Sequence, residues 1–348
     1  MPNAATYKVF VGTWNVGAIT PSNSLNLEDW LGTNRDSYDI YVLGFQEIVP
    51  LSTRNVLGPE RNRVAMKWNS LIGATLNKCH RTEEENKKPR EVKSEHHHKV
   101  YPMKQGGVDH VEFNCIMSKQ MVGILISVWA RKDLSGLIRN LCVSSVGCGI
   151  MRCLKNKGSV SVRFYLRGAS FCFVCCHLSS GGKEADQKLR NLNVTHILSK
   201  TCFAANDSSN NSPKKIPGHD HIVLFGDLNY RISLPDAKMR QLVDREEWKT
   251  LLDDDQLSFE LSPRGIFEGW NEGPINFPPT YKYKPNSDEY YYGYIYDESK
   301  EEKRRAPAWC DRILWIGKGL KQLCYERCES KLSDHRSVRA IFLVDVEV

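Results

Sequence analysis

Asn15, Glu47, His177, Asp227, Asn229, Asp334 and His335 carry side chains suited to phosphoester chemistry. Such chemistry needs an in-line water, a group that orients or deprotonates it, and positive charge on the nonbridging oxygens. Asp227 suits the water, with Asn229 as a second hydrogen-bond partner. His335, charged through Asp334 as neighbour or pocket partner, suits the phosphoryl oxygens, and His177 suits them from another side. Glu47 and Asn15 offer oxygen ligands to a hard cation. Magnesium keeps several waters and takes only one or two protein carboxylates, so Glu47 alone can supply the charged ligand. Zinc would draw on more His and Cys. The cation would polarise the phosphate and stabilise the leaving oxygen.

Taken singly, each residue also fits a structural role. Asn15 can cap a turn, and Asp227 followed by Asn229 can form an Asx-turn. Glu47 can be a surface acid, Ser333-Asp334 a loop, and His177 a satisfied histidine near the core. Other chemistries have less support. The chain holds no Gly-x-Ser-x-Gly and no P-loop. Cys310 is a poor nucleophile candidate, because Cys310-Asp311-Arg312-Ile313-Leu314 runs straight into an apolar strand with no room for a phosphate-cradling loop.

Placement at strand ends favours the chemical reading. Val9-Phe10-Val11 leads into Gly12-Thr13-Trp14-Asn15, and Ile40-Tyr41-Val42-Leu43 into Gly44-Phe45-Gln46-Glu47. The run ending at Cys176 leads into His177, and Ile222-Val223-Leu224-Phe225 into Gly226-Asp227-Leu228-Asn229. Trp309-Cys310-Asp311-Arg312 and Ser333-Asp334-His335 instead precede strands. If all meet at one rim, the last strands run opposite to the first ones. That argues for mixed or antiparallel sheets rather than a doubly wound parallel fold. Helical periodicity covers residues 64–76, 185–203 and 236–246. The expected fold is α+β: a layered sandwich of two packed sheets flanked by helices.

No Gly/Ser- or Pro-rich linker divides the 348 residues, so residues 8–346 read as one catalytic domain. Polar gaps at 81–98 and 206–220 read as mobile loop insertions. The 12 cysteines show no paired pattern, which suits buried free thiols in a reducing compartment. His96-His97-His98 lies among charges and reads as a solvated loop. The start of the chain does not read as a signal peptide, and no apolar run is long enough to span a bilayer. Net charge is +7, which suits an anionic partner.

The clusters Phe10-Val11-Gly12-Thr13-Trp14-Asn15-Val16, Gly44-Phe45-Gln46-Glu47, Cys176-His177-Leu178, Phe225-Gly226-Asp227-Leu228-Asn229-Tyr230-Arg231, Pro279-Thr280-Tyr281-Lys282-Tyr283, Pro307-Ala308-Trp309-Cys310-Asp311-Arg312 and Ser333-Asp334-His335 also occur together in one family. The chain resembles an inositol polyphosphate 5-phosphatase, most like plant members in Asn276-Phe277-Pro278-Pro279-Thr280-Tyr281. The match spans nearly the whole chain. It departs at Gly17-Ala18, where many animal relatives carry Asn-Gly. The resemblance implies a four-layer α/β sandwich of the endonuclease/exonuclease/phosphatase type.

It further implies Mg2+ at Asn15 and Glu47, and a catalytic set of His177, Asp227, Asn229, Asp334 and His335. Tyr281, Lys282 and Lys303 would grip a neighbouring 4-phosphate, although Lys300, Arg304 and Arg305 crowd the same stretch. Arg231, Asp311 and Arg312 join the substrate-binding expectation. Either arginine equally suits a structural pairing with Asp227 or Asp311. The expected activity is 5-phosphate hydrolysis on phosphoinositides or soluble inositol polyphosphates, by direct attack of water. A monomer is expected, cytoplasmic, with peripheral contact to an acidic inner membrane face and no nucleic-acid partner. Tyr290-Tyr291-Tyr292-Gly293-Tyr294 suits either a membrane interface or internal packing. Rival readings are a nuclease of the same superfamily, which needs a longer basic surface, and a catalytically dead phosphoinositide-binding module.

Overall fold

The computed structural model describes residues 4–50, 60–78, 112–148, 156–204, 213–297 and 300–347. The side chains of residues 4, 60–61, 294–297 and 300–304 are not described. The loop expected at 81–98 lies outside the described residues. So does the first half of the loop expected at 206–220. Its second half is packed: Ile216 is buried, and Asp220 accepts hydrogen bonds from Ser170 N and Oγ at 2.8 and 2.6 Å.

Strand β1 (Ala4–Asn15) pairs in parallel with β2 (Ile40–Gln46) and antiparallel with β14 (Val338–Glu347). With β3 (Phe113–Met121), β4 (Ile124–Arg131) and β13 (Leu320–Arg327) they form a six-stranded sheet ordered β13-β14-β1-β2-β4-β3. The second sheet contains β5 (Ile138–Gly147), β6 (Gly158–Leu166), β7 (Ala169–His177), β8 (His221–Asp227), β9 (Asn271–Glu272) and β12 (Asp311–Ile316). Its order is β5-β6-β7-β8-β12-β9, with β7 and β8 parallel and β12 antiparallel to β8. A hairpin of β10 (Gly293–Asp297) and β11 (Lys300–Arg305) stands apart.

Alternation along the strands builds the layers. Val9 and Val11 of β1 and Phe171, Phe173 and Cys175 of β7 meet in the core between the sheets. Phe10 and Trp14 face outward with Trp68 and Ile72 of α2 (Glu60–Leu76) and Trp30 of α1 (Glu28–Leu31). Cys172, Val174 and Cys176 face α3 (Glu184–Lys200) and α6 (Gln256–Leu261). Both faces of the central strands are therefore buried, which explains their near-continuous apolar runs. Each fully buried large side chain contributes roughly 1.5–3 kcal/mol.

Helix α3 buries Arg190, Asn193, Val194 and Ile197 at i, i+3, i+4, i+7 spacing. It occupies most of the 185–203 expectation. Helix α4 (Asp236–Asp244) fills the 236–246 expectation and is followed by α5 (Trp248–Leu252). No periodicity marks α1, α5 or α6, which have 4, 5 and 6 residues. They are too short to repeat a pattern. The expected sandwich of mixed sheets flanked by helices is the observed fold, and no described helix is long and apolar enough to cross a membrane.

Candidate active site

Strand register brings the polar tips to one rim. Asn15 lies opposite Gln46, so Glu47 follows directly beside it. His177 lies opposite Asp227, and Asp227 opposite Asp311. Ser333, Asp334 and His335 immediately precede β14, whose Val338 pairs with Thr13. Gly226, inside β8, has φ +139°, and a Cβ there would lie 2.0 Å from Cys176 O. Only glycine allows that approach.

Asp227 is the hub and is 1% exposed. Its Oδ2 accepts from Asn15 Nδ2 at 2.9 Å and lies 3.2 Å from His177 Nε2. Its Oδ1 accepts from Asn229 N at 3.1 Å, so the Asx-turn suspected from sequence is present as well. Burial works to raise its pKa, yet the hydrogen bond and charge of His177, with the charges of His335 and Lys157, hold it well below the usual carboxylate range. Asp227 is thus held as the carboxylate.

Asn229 and Glu47 both sit in the left-handed region, at φ 57° and 54°. Strain of this kind is kept where surrounding structure enforces it. Asn229 Nδ2 donates to Leu178 O at 3.1 Å, and its Oδ1 accepts from Arg231 at 2.5 Å. Its amide is held by the scaffold, and its N–H orients Asp227. Arg231 bonds Asn229 rather than Asp227, and its guanidinium lies 4.5 Å from the Tyr281 ring centroid.

His335 is paired differently from the expectation. Its Nδ1 lies 2.8 Å from Asp311 Oδ2, which also accepts from Thr280 Oγ1 at 2.7 Å. Burial opposes the imidazolium, but Asp311, then Asp227 and Asp334, raise the His335 pKa to about 10. Burial, with the Asp227 charge, raises the Asp311 carboxyl too, so the pair holds its proton tightly. Asp334 instead forms an ion pair with Lys282 and accepts from Ser333 Oγ at 3.2 Å. Its carboxyl is lowered: burial works upward, and the charges of His335 and Lys282 outweigh it. Asp311 is fully buried and is the partner of the His335 ring.

Arg312 is a second correction. It is fully buried, and it donates to Glu272 through Nε and a terminal nitrogen, both at 2.6 Å, and to Asp255 at 2.9 Å. Asp311 is not its partner, and a fully buried guanidinium offers no surface to a ligand. Both acids arrive from segments that the strand-end pattern ignored.

Residues 280–283 run between Ala308 and Asp334: Tyr281 exchanges backbone hydrogen bonds with Ala308, and Tyr283 N donates to Asp334 O at 2.9 Å. This carries Tyr281 against His335, with ring centroids 4.6 Å apart. Arg305 donates to Tyr281 Oη at 3.0 Å. Lys303 lies on β11, outside the residues whose side chains are described. Tyr290 packs against Tyr283 with tilted rings and donates to Pro279 O, and Tyr292 packs under Arg240. Both pack internally, whereas Tyr291 neighbours Lys282.

Sequence reasoning missed Lys157. Its ammonium touches His177 Nε2, and burial lowers its pKa. The signal was present: Asn156-Lys157-Gly158 stands directly before an apolar strand. Gly158 has φ +138°, and a Cβ there would lie 2.0 Å from Val146 O.

Among the described residues, no group of three or more His, Cys, Asp or Glu is arranged to hold a metal. The donors present are oxygens. The Glu47 side chain is 41% exposed with His177 Nε2 at 3.7 Å, and Asn15 Oδ1 accepts from Gly17 N at 3.0 Å while keeping a second lone pair. One open carboxylate and one amide oxygen fit a hard cation that retains waters.

The model for endonuclease/exonuclease/phosphatase family 2 matches residues 12–341. The chain is 53% identical to type IV inositol polyphosphate 5-phosphatase 9 of Arabidopsis thaliana, over 98% of this chain and 78% of that protein. It is 47% identical to type I inositol polyphosphate 5-phosphatase 8 of the same plant, over 98% and 71%. Among solved structures it is similar to the inositol polyphosphate 5-phosphatase domain of SPsynaptojanin in complex with inositol (1,4)-bisphosphate and calcium ion. That likeness has a TM-score of 0.76 and 28% identity, covering 99% of this chain and 86% of that one.

Proposed function

We propose, for a chain that belongs to the inositol polyphosphate 5-phosphatase family, that it removes the 5-phosphate from phosphoinositides and soluble inositol polyphosphates with Mg2+ and without a covalent intermediate. Phosphoric monoester hydrolysis comes with the family.

The observation that carries it is the Asp227 carboxylate, held ionised between His177 and Asn15 at the rim that also bears the Asp311–His335 pair. Asp227 accepts the proton of the attacking water, its orientation fixed by the Asn229 N–H. His335, kept protonated by Asp311, and His177 neutralise the phosphoryl oxygens. Glu47 and Asn15 would hold the Mg2+, which supplies charge stabilisation at the phosphate and leaving oxygen. Tyr281, Lys282 and Arg305 grip an adjacent 4-phosphate, with Lys282 as a point charge.

Peripheral docking on an acidic cytoplasmic membrane face belongs to the same proposal. It is supported by the +7 net charge and by Tyr291 beside Lys282.

Phosphate release from inositol 1,4,5-trisphosphate and from vesicles carrying phosphatidylinositol 4,5-bisphosphate, each with Mg2+, tests the reading. Asp227→Asn should lose about 10²-fold or more in turnover. Absence of release from both substrates by the parent protein would overturn it.

A further inference from the structure

Glu47 and Asp227 both face one ring nitrogen. His177 Nε2 lies 3.7 Å from Glu47 Oε1 and 3.2 Å from Asp227 Oδ2. Among the described residues, His177 is the only ion-pair partner of either carboxylate. The Lys157 ammonium contacts that same nitrogen. A single ring nitrogen carries either one hydrogen or one lone pair, so it cannot serve an ammonium donor and two carboxylates together. The ring therefore cannot pair with both acids while it also meets the ammonium. Lys157 itself has no carboxylate within ion-pair distance among the described residues, so its charge is buried without a direct counter-ion.

The backbone of Lys157 is fixed while its side chain is long. Lys157 O accepts from Cys148 N at 2.8 Å, and Gly158 closes against Val146. Four methylenes beyond that anchor let the ammonium move without disturbing the strand.

We propose that Lys157 supplies the positive charge of the metal site when no metal is bound, and that loading a divalent cation expels its ammonium. Both cations feel the charges of Glu47 and Asp227, and a divalent ion beside Glu47 repels the ammonium on His177. Lys157 therefore weakens metal binding and keeps the empty site from holding bare paired acids. This inference rests on the reading that Glu47 holds the cation.

Calorimetric titration of metal-free protein with Mg2+ alone tests it without measuring turnover. Lys157→Met, and independently Lys157→Gln should the first variant fail to fold, is expected to bind Mg2+ about tenfold tighter than the parent protein. Lys188→Gln, on the exposed face of α3, should leave the affinity unchanged. Equal or weaker binding in the Lys157 variants, or equal tightening in Lys188→Gln, would overturn the proposal. Glu47→Gln separates the two claims. Parental affinity in that variant defeats the ligand assignment itself, whereas lost binding there with unchanged binding in Lys157→Met defeats only the competition.

Discussion

Asp311 Oδ2 lies 2.8 Å from His335 Nδ1, joining residues 24 apart in sequence. The acid adjacent to the histidine in the chain, Asp334, turns instead to Lys282. Adjacency in the chain does not bring the two side chains together, because residues 332–334 form a bend from which Asp334 leaves toward Lys282. Asp311 reaches it because β12 begins opposite Asp227.

Asp311→Asn should move the alkaline limb of the pH–rate profile. His335 is protonated up to about pH 10 chiefly because Asp311 offsets the burial that opposes its charge. Loss of that carboxylate lowers its pKa, so activity should fall at lower pH than in the parent. The pair's contribution to stability is full below about pH 6.5, the free histidine value, and is lost as pH rises toward 10. An alkaline limb that stays in place would remove Asp311 as the partner that keeps His335 charged.

Arg312→Met should destabilise the fold without altering substrate recognition. It leaves Asp255 and Glu272 buried without their cation, a loss of about 3–5 kcal/mol. Thermal melting should show it, while KM below the transition stays at the parental value. A raised KM in folded protein would return Arg312 to the substrate site.

Lys282→Ala should discriminate among substrates. Charged hydrogen bonds contribute about 1.5–3 kcal/mol, so kcat/KM should drop roughly 10–100-fold more for a 4,5-bisphosphate than for a 5-monophosphate. The common loss from freeing Asp334 cancels in that ratio. Equal losses would refute the 4-phosphate assignment.

Acidification should weaken the end of β8 opposite the active site. His219 and His221 are buried, and burial lowers both pKa values. Neutral histidines of this kind contribute fully above about pH 6.5, and that contribution is lost as pH falls below it. Melting temperature should decline from pH 6.5 to 5, and His221→Phe, which keeps the ring against Phe171, should flatten the decline. An unchanged slope would exclude His221.

The helices at 184–200 and 236–244 and the strands ending at Asn15, Gln46, His177 and Asp227 were legible because helical periodicity and apolar runs are local. Their relative directions followed from requiring the polar tips to meet. Arg312 misled because its guanidinium looks the same beside a phosphate or a buried acid. Its partners, Asp255 and Glu272, lie 57 and 40 residues away. Lys157 was passed over because it ends no strand and belongs to no acid or histidine cluster.

The amino-acid sequence by itself therefore determined the layered α+β class, the family, and the residue types that gather at the rim. Tertiary structure alone decided who pairs with whom: Asp311 with His335, Lys282 with Asp334, Arg312 with Asp255 and Glu272, Lys157 with His177. Hydrophobic alternation is written residue by residue. Side-chain pairing depends on strand register and turn geometry, where a shift of one position sends each side chain to the opposite face.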